Sequence, residues 1–182
     1  MKKNLFLLMV ATLTITLFAA CGDDEKEKDI IGNTNGNTNS NVDSRIVGTW
    51  TETTGEGWSW DNNGQLRSHW RSLSTTVERR YVVVNGVETG EYHDYTHEPD
   101  WSTVTFNADG TFIGHNSEDE SYTGTYTTSG GYLTYFVSEG ADRWAYSFED
   151  NKLKLVSEEY EGSVLTDREI SWCVQGAYQV GM

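Results

Sequence analysis

From about residue 46 onward, apolar and polar positions alternate with a period of two in short runs. Trp144, Tyr146 and Phe148 fall on one face of such a run, Leu133, Tyr135 and Val137 on one face of another, and Leu153 and Leu155 on a third. The runs are separated by turn chemistry. Asn85-Gly86 divides Tyr81-Val82-Val83-Val84 from Val87-Glu88-Thr89, and this dipeptide favours a two-residue hairpin because both of its positions require positive φ. Asn107-Ala108-Asp109-Gly110, Ser129-Gly130-Gly131 and Glu149-Asp150-Asn151 part further pairs of segments in the same way. Successive strands joined by tight turns make a meander, and the spacing predicts nine or ten strands. Closure of the last strand onto the first would remove the exposed edges, so the pattern predicts an all-β fold, an antiparallel up-and-down β-barrel of about eight to ten strands.

Composition agrees with that reading. Aromatic residues make up 13% of the chain, with 18 Gly and 1 Pro. The long Ala/Leu/Glu/Lys periodic stretches that signal helices are missing. The stretch 46–182 suits one compact core and is short for two domains.

The first residues call for a separate explanation. Lys2 and Lys3 precede Leu5 to Ala20, an apolar stretch too short to span a bilayer comfortably and ending in small residues. Residues 1–20 are therefore expected to be an export leader. Phe18-Ala19-Ala20-Cys21 resembles the lipobox of bacterial lipoprotein signal peptides, with Phe18 where Leu is usual. That resemblance implies cleavage before Cys21 and lipidation of its thiol. A triacylated N-terminus would hold the protein on a membrane without a transmembrane segment, at about 0.8 kcal/mol per buried methylene.

Residues 21–45 are expected to be a linker. They begin with the charge run Gly22 to Asp29, which resembles the acidic tracts that direct some Gram-negative lipoproteins to the outer leaflet of the outer membrane. They continue in an Asn/Thr/Gly/Ser stretch that cannot bury enough apolar area to offset its ordering entropy. With Cys21 used by the anchor, Cys173 is left alone and the domain has no intramolecular disulfide to draw on.

A second resemblance covers most of 46–172. Ile46-Val47-Gly48-Thr49-Trp50, the phrase Val104 to Phe112, Gly124-Thr125-Tyr126, and Tyr146-Ser147-Phe148 leading to Lys152 to Val156 are similar to the lipocalin-like domains of many Gram-negative lipoproteins. The resemblance implies that Gly48 and Trp50 close one end of an eight-stranded barrel. It also implies a calyx that often holds a small apolar molecule. Inward residues expected to line it are Phe106, Phe112, Tyr126, Tyr135, Trp144 and Tyr146. The segment Trp58 to Tyr95 is longer than one simple hairpin, so it is expected to add strands or a flap over the mouth.

Charge excludes one class of partner. The formal net charge is -15; without Lys2 and Lys3, 11 cations face 28 acids and the charge is -17. Nucleic acid needs clustered cations that this chain lacks, and the acids are expected to keep an exported domain soluble and monomeric.

Candidate catalytic chemistry is thin. His93 and His97, extended, stand roughly 13 Å apart, too far for one metal. His69 and His115 have no carboxylate or cysteine at ligand spacing and read as rim histidines. Glu118-Asp119-Glu120, and Glu158-Glu159 with Glu161, fall where solvated turns are expected and not across a cleft. A nucleophile elbow and a phosphate-cradling loop are both missing. No metal, no cofactor and no enzymatic activity are expected.

Trp58, Trp60 and Trp70, with Trp101 beyond, crowd the early half of the domain. Such rings fill cores, and they also stack on sugars. Two readings stand above catalysis. One is an anchored barrel binding a small apolar ligand. The other is a surface or carbohydrate-contacting module whose barrel is filled and whose Trp58, Trp60 and Trp70 work outside it.

Overall fold

The computed structural model describes residues 41–138 and 140–178. The expected leader, Cys21 and most of the expected linker lie outside the described residues. Eleven strands follow one another: β1 (Gly48–Trp60), β2 (Leu66–Ser74), β3 (Val77–Val84), β4 (Val87–Thr96), β5 (Ser102–Phe106), β6 (Thr111–Asn116), β7 (Ser121–Ser129), β8 (Tyr132–Val137), β9 (Gly140–Glu149), β10 (Lys152–Glu161) and β11 (Val164–Gln175). All pairings are antiparallel. Strands β5 to β11 form a meander, and β1 pairs with both β5 and β11, closing an eight-stranded barrel. The turns behave as their residues predict: Asn85 and Gly86 take φ of 52° and 78°, and Asp150 and Asn151 take 49° and 62°.

The remaining three strands answer the question posed by the long Trp58 to Tyr95 segment. It forms neither a flap nor a simple hairpin. Trp58 and Trp60 belong to β1 itself, which runs 13 residues and outlasts its partner β5. Its first part, Gly48 to Thr51, pairs with β5; its last part, Glu56 to Trp60, pairs with β2. Strands β2, β3 and β4 therefore extend the sheet away from the barrel as a wing. Along the intervening stretch, Glu52 to Gly55, β1 has no strand on that side, and the wall forks there.

A β-bulge lies inside the fork. On β1, Glu52 faces Cys173 and Thr54 faces Trp172, so Thr53 is the extra residue. One extra residue reverses side-chain alternation. Before the bulge Trp50 and Glu52 point inward; after it Gly55 and Gly57 do, while Glu56 and Trp58 turn outward. The inward face thus carries on to the wing through Trp70, Glu78 and Arg80.

Wing and barrel are held differently. The barrel encloses Val104, Phe106, Phe112, Tyr126, Leu133, Trp144, Leu153, Leu155 and Cys173, all buried. The wing has no core beneath it, and β4 is exposed along its whole length. It is held by ladder hydrogen bonds and cross-strand pairs. Arg79 forms a two-pronged pair with Asp94 at 2.8 and 2.9 Å, and its guanidinium lies 3.6 Å from the centre of the Tyr92 ring. Order begins before Ile46: Asn41 and Asp43 are hydrogen-bonded to Thr128, and Ile46 is fully buried.

Candidate functional site

Five of the residues predicted to line a calyx, Phe106, Phe112, Tyr126, Tyr135 and Trp144, belong to the buried core, and Tyr146 packs against it. Phe106 packs against Tyr126 at 4.8 Å between ring centres, Tyr135 at 5.8 Å and Phe112 at 6.3 Å. Phe112 meets Tyr135 edge to face at 5.3 Å. Trp144 is buried and donates its Nε1–H to Asp142 at 3.0 Å, while the Tyr126 hydroxyl donates to the Asn107 carbonyl at 2.8 Å. Tyr146 is half-buried and donates its hydroxyl to Asp43. Where β1 begins, Trp50 is buried beside Ile46, whose carbonyl accepts its indole N–H at 2.7 Å, and the neighbouring Gly48 pairs with Phe106 of β5.

Open space is found at the fork. A cavity of about 490 Å³ is bounded by β1 on one side and by the wing and the start of β5 on the other. That volume falls in the usual range for small-molecule sites. Two indoles form part of its wall. Trp70 lies flat on the backbone of β1 where Gly55 and Gly57 leave room: a Cβ at Gly57 would stand 2.4 Å from Trp70 Nε1. Trp101 stacks on Tyr178 at 4.7 Å with the planes 5° apart, so the C-terminal segment holds it in place.

Carboxylates supply the polar wall. Glu52 accepts from Ser171 Oγ at 2.9 Å and from Ser102 Oγ at 3.2 Å. Burial pushes its carboxyl up to about 7, against the lowering effect of those hydroxyls. Glu169, on the adjacent strand β11, is pushed up to about 9 by burial and by the nearby charge of Glu52. Asp100 accepts from Ser117 Oγ at 3.3 Å and adds a like charge near Glu52. The cations at the rim are already engaged, Arg80 with Glu78 at 2.6 Å and Arg67 with Asp61 at 3.0 Å.

The predicted outer aromatics separate. Trp70 belongs to the cavity and not to the exterior. Trp58 lies on the outer face, where Trp58, His69 and Tyr81 stack across β1, β2 and β3 with ring centres 4.8 and 4.2 Å apart. His69 is thereby covered on both faces, by Trp58 on one side and Tyr81 on the other. Trp60 is half-buried at the far end of β1.

His69 corrects an expectation. It is buried, with Nε2 2.9 Å from Glu56 Oε1 and Nδ1 2.8 Å from Glu88 Oε1. Neither carboxylate is near it in sequence at a recognisable spacing; the wing brings them there. Of the other histidines, His93 is exposed on β4, His97 reaches the cavity rim, and His115 is exposed beside Ser121. The run Glu118 to Glu120 occupies a turn as expected, whereas Glu158, Glu159 and Glu161 lie exposed on β10 because that strand outruns the core. Among the described residues no three His, Cys, Asp or Glu side chains come together as a metal site.

Glu52, Asp100 and Glu169 were not singled out from sequence. Period two held the signal for two of them: Glu52 is two residues past the inward Trp50, and Glu169 is two before the inward Ser171 and four before Cys173. A search of known proteins leaves this geometry to be read on its own terms, since neither a family model nor a curated protein matches the chain.

Proposed function

We propose that the protein is a non-catalytic binding module, tethered through lipidated Cys21 to the outer membrane and facing away from the cytoplasm, that holds a small polar ligand in the fork cavity. The observation that carries this reading is the contrast between a lumen packed ring against ring and a 490 Å³ opening walled by Trp70, Trp101 and carboxylates. Flat aromatic faces beside hydrogen-bonding carboxyls suit a molecule with one apolar face and several hydroxyl or amine groups, as in a carbohydrate. This is the filled-barrel alternative, with Trp70 as its working aromatic.

The test is intrinsic tryptophan fluorescence titrated with β-1,4-linked disaccharides of glucose and of glucosamine, and with a fatty acid. Saccharide binding weakened about tenfold by Trp70→Ala supports the reading, at the value of one aromatic contact. Fatty-acid binding indifferent to Trp70→Ala would return the site to the lumen. The anchor is tested separately: Cys21→Ser should move the protein from the membrane fraction to the soluble fraction.

A further inference from the structure

We propose that the fork cavity selects a ligand carrying a primary ammonium group, seated among the carboxyl groups of Glu52, Asp100 and Glu169 and against the indoles of Trp70 and Trp101. This rests on the cavity being the ligand site, and it names the class of ligand.

The reason is a charge balance that the protein leaves open. Four acids line the cavity: Glu52, Glu78, Asp100 and Glu169. Glu78 is matched by Arg80, and Arg67 is turned to Asp61. Among the described residues, no lysine or arginine forms an ion pair with Glu52, Asp100 or Glu169; Glu52 and Asp100 have only serine hydroxyls as side-chain donors. Three carboxyl groups come from three separate parts of the chain: β1, the β4–β5 connection and β11. They line one cavity where β1 has lost a strand neighbour. Taking carboxylates out of water without a counter-charge is costly, and Asp100 raises that cost for Glu52 as Glu52 does for Glu169. Left alone, Glu169 meets that cost by keeping its proton at neutral pH; an ammonium ion would take the place of that proton, bringing hydrogen-bond donors together with the counter-charge that lets the carboxyls ionise. Indole rings add attraction for the same group through the negative faces of their π-systems. A neutral ligand would gain only the hydrogen bonds, and an anion would be repelled.

Rim chemistry points the same way. The wing holds its own cations in ion pairs on β2 and β3, so they are not free to neutralise the inner acids. Selection by charge is therefore built into the cavity and not into the acidic surface at large.

The experiment compares two probes of one shape, the β-1,4-linked glucosamine disaccharide and cellobiose, by isothermal titration calorimetry on the purified protein at pH 7. They differ in carrying ammonium or hydroxyl at the second carbon of each ring. The expected result is binding of the glucosamine disaccharide at least about tenfold tighter than cellobiose, with the preference lost in Glu169→Gln and in Glu52→Gln. The paired control is Glu158→Gln with Glu161→Gln, exposed acids on β10, which should leave the preference intact; circular dichroism checks that every variant keeps its sheet.

Equal affinity for both probes, with Glu169→Gln neutral, would overturn the ammonium assignment while leaving the cavity as a binding site. An effect of the β10 control as large as that of Glu169→Gln would also overturn it, because attraction would then come from overall charge. Binding of neither probe would overturn the cavity reading and this one with it.

Discussion

Replacing Phe106 with alanine should cost about 3–5 kcal/mol of stability, read as a fall in the midpoint of chemical or thermal unfolding. Phe106 is 1% exposed and meets the rings of Phe112, Tyr126 and Tyr135. Truncation removes the transfer free energy of the ring and leaves a cavity that a closed barrel collapses poorly, since its walls are fixed by hydrogen-bonded neighbours on both sides. Phe106→Leu should cost markedly less, because most of the volume stays. The variant also bears on the nature of the lumen. If the calyx were a vacant ligand site, Phe106→Ala would enlarge space that already exists, and the loss would fall toward the simple transfer value of about 1.5–3 kcal/mol. A small loss with unchanged unfolding cooperativity would therefore sink the filled-barrel account.

The second large effect is a dependence of stability on pH with an unusual direction. Glu52 and Glu169 have carboxyls raised by burial to about 7 and about 9 from an ordinary value of 4.5. A carboxyl raised in the fold binds its proton more tightly in the folded chain than in the unfolded one. Between pH 4.5 and those values the folded state holds more protons, so stability is greatest near the lower limit and falls as pH rises. The loss between pH 5 and pH 8 should reach at least about 2 kcal/mol, given 1.36 kcal/mol per pH unit for a fully linked group. Asp43, Asp61, Asp94 and Asp109 work the other way. Their carboxyls are lowered by hydrogen bonds and, for the first three, by nearby arginines, so their contribution is lost only as pH falls below about 4. The two windows do not overlap. Glu169→Gln, which keeps the shape and removes the ionisation, should raise the unfolding midpoint at pH 8 and flatten the profile. A profile that is level from pH 5 to pH 8 in the parent protein would refute the burial of these acids.

These two effects concern one wall of the same barrel. The inward residues of β1 and β11 pass from Trp50, packed beside Ile46, through the facing pair Glu52 and Cys173 to Glu169 toward the fork. Stability comes from the apolar residues. The acids lower stability at neutral pH, which fits a place reserved for something other than packing.

What the sequence determined by itself is what local chemistry and period two can carry. Asn85-Gly86 and Asp150-Asn151 impose their turns through backbone φ alone, and the alternation through Leu133 and Tyr135 or Leu153 and Leu155 fixes which face turns inward. With successive hairpins so specified, a meander that closes on itself follows. The candidate site was legible only in fragments: Trp70 and Trp101 stood out as aromatics, but nothing local told Trp70 from Trp58.

The tertiary structure decided the rest because it turned on pairing partners far apart in sequence. Whether β1 keeps β5 beside it or passes to β2 depends on their relative lengths, and the bulge at Thr53 changes the parity of every residue after it. That single extra residue turns Gly55 and Gly57 inward, gives Trp70 a flat seat, and sends Trp58 outside to stack with His69 and Tyr81. Glu52, Asp100 and Glu169 lie up to 117 positions apart in the chain and become neighbours only because β11 closes onto β1 where the wing departs. Side-chain alternation is a property of one strand; a cavity at a fork is a property of three.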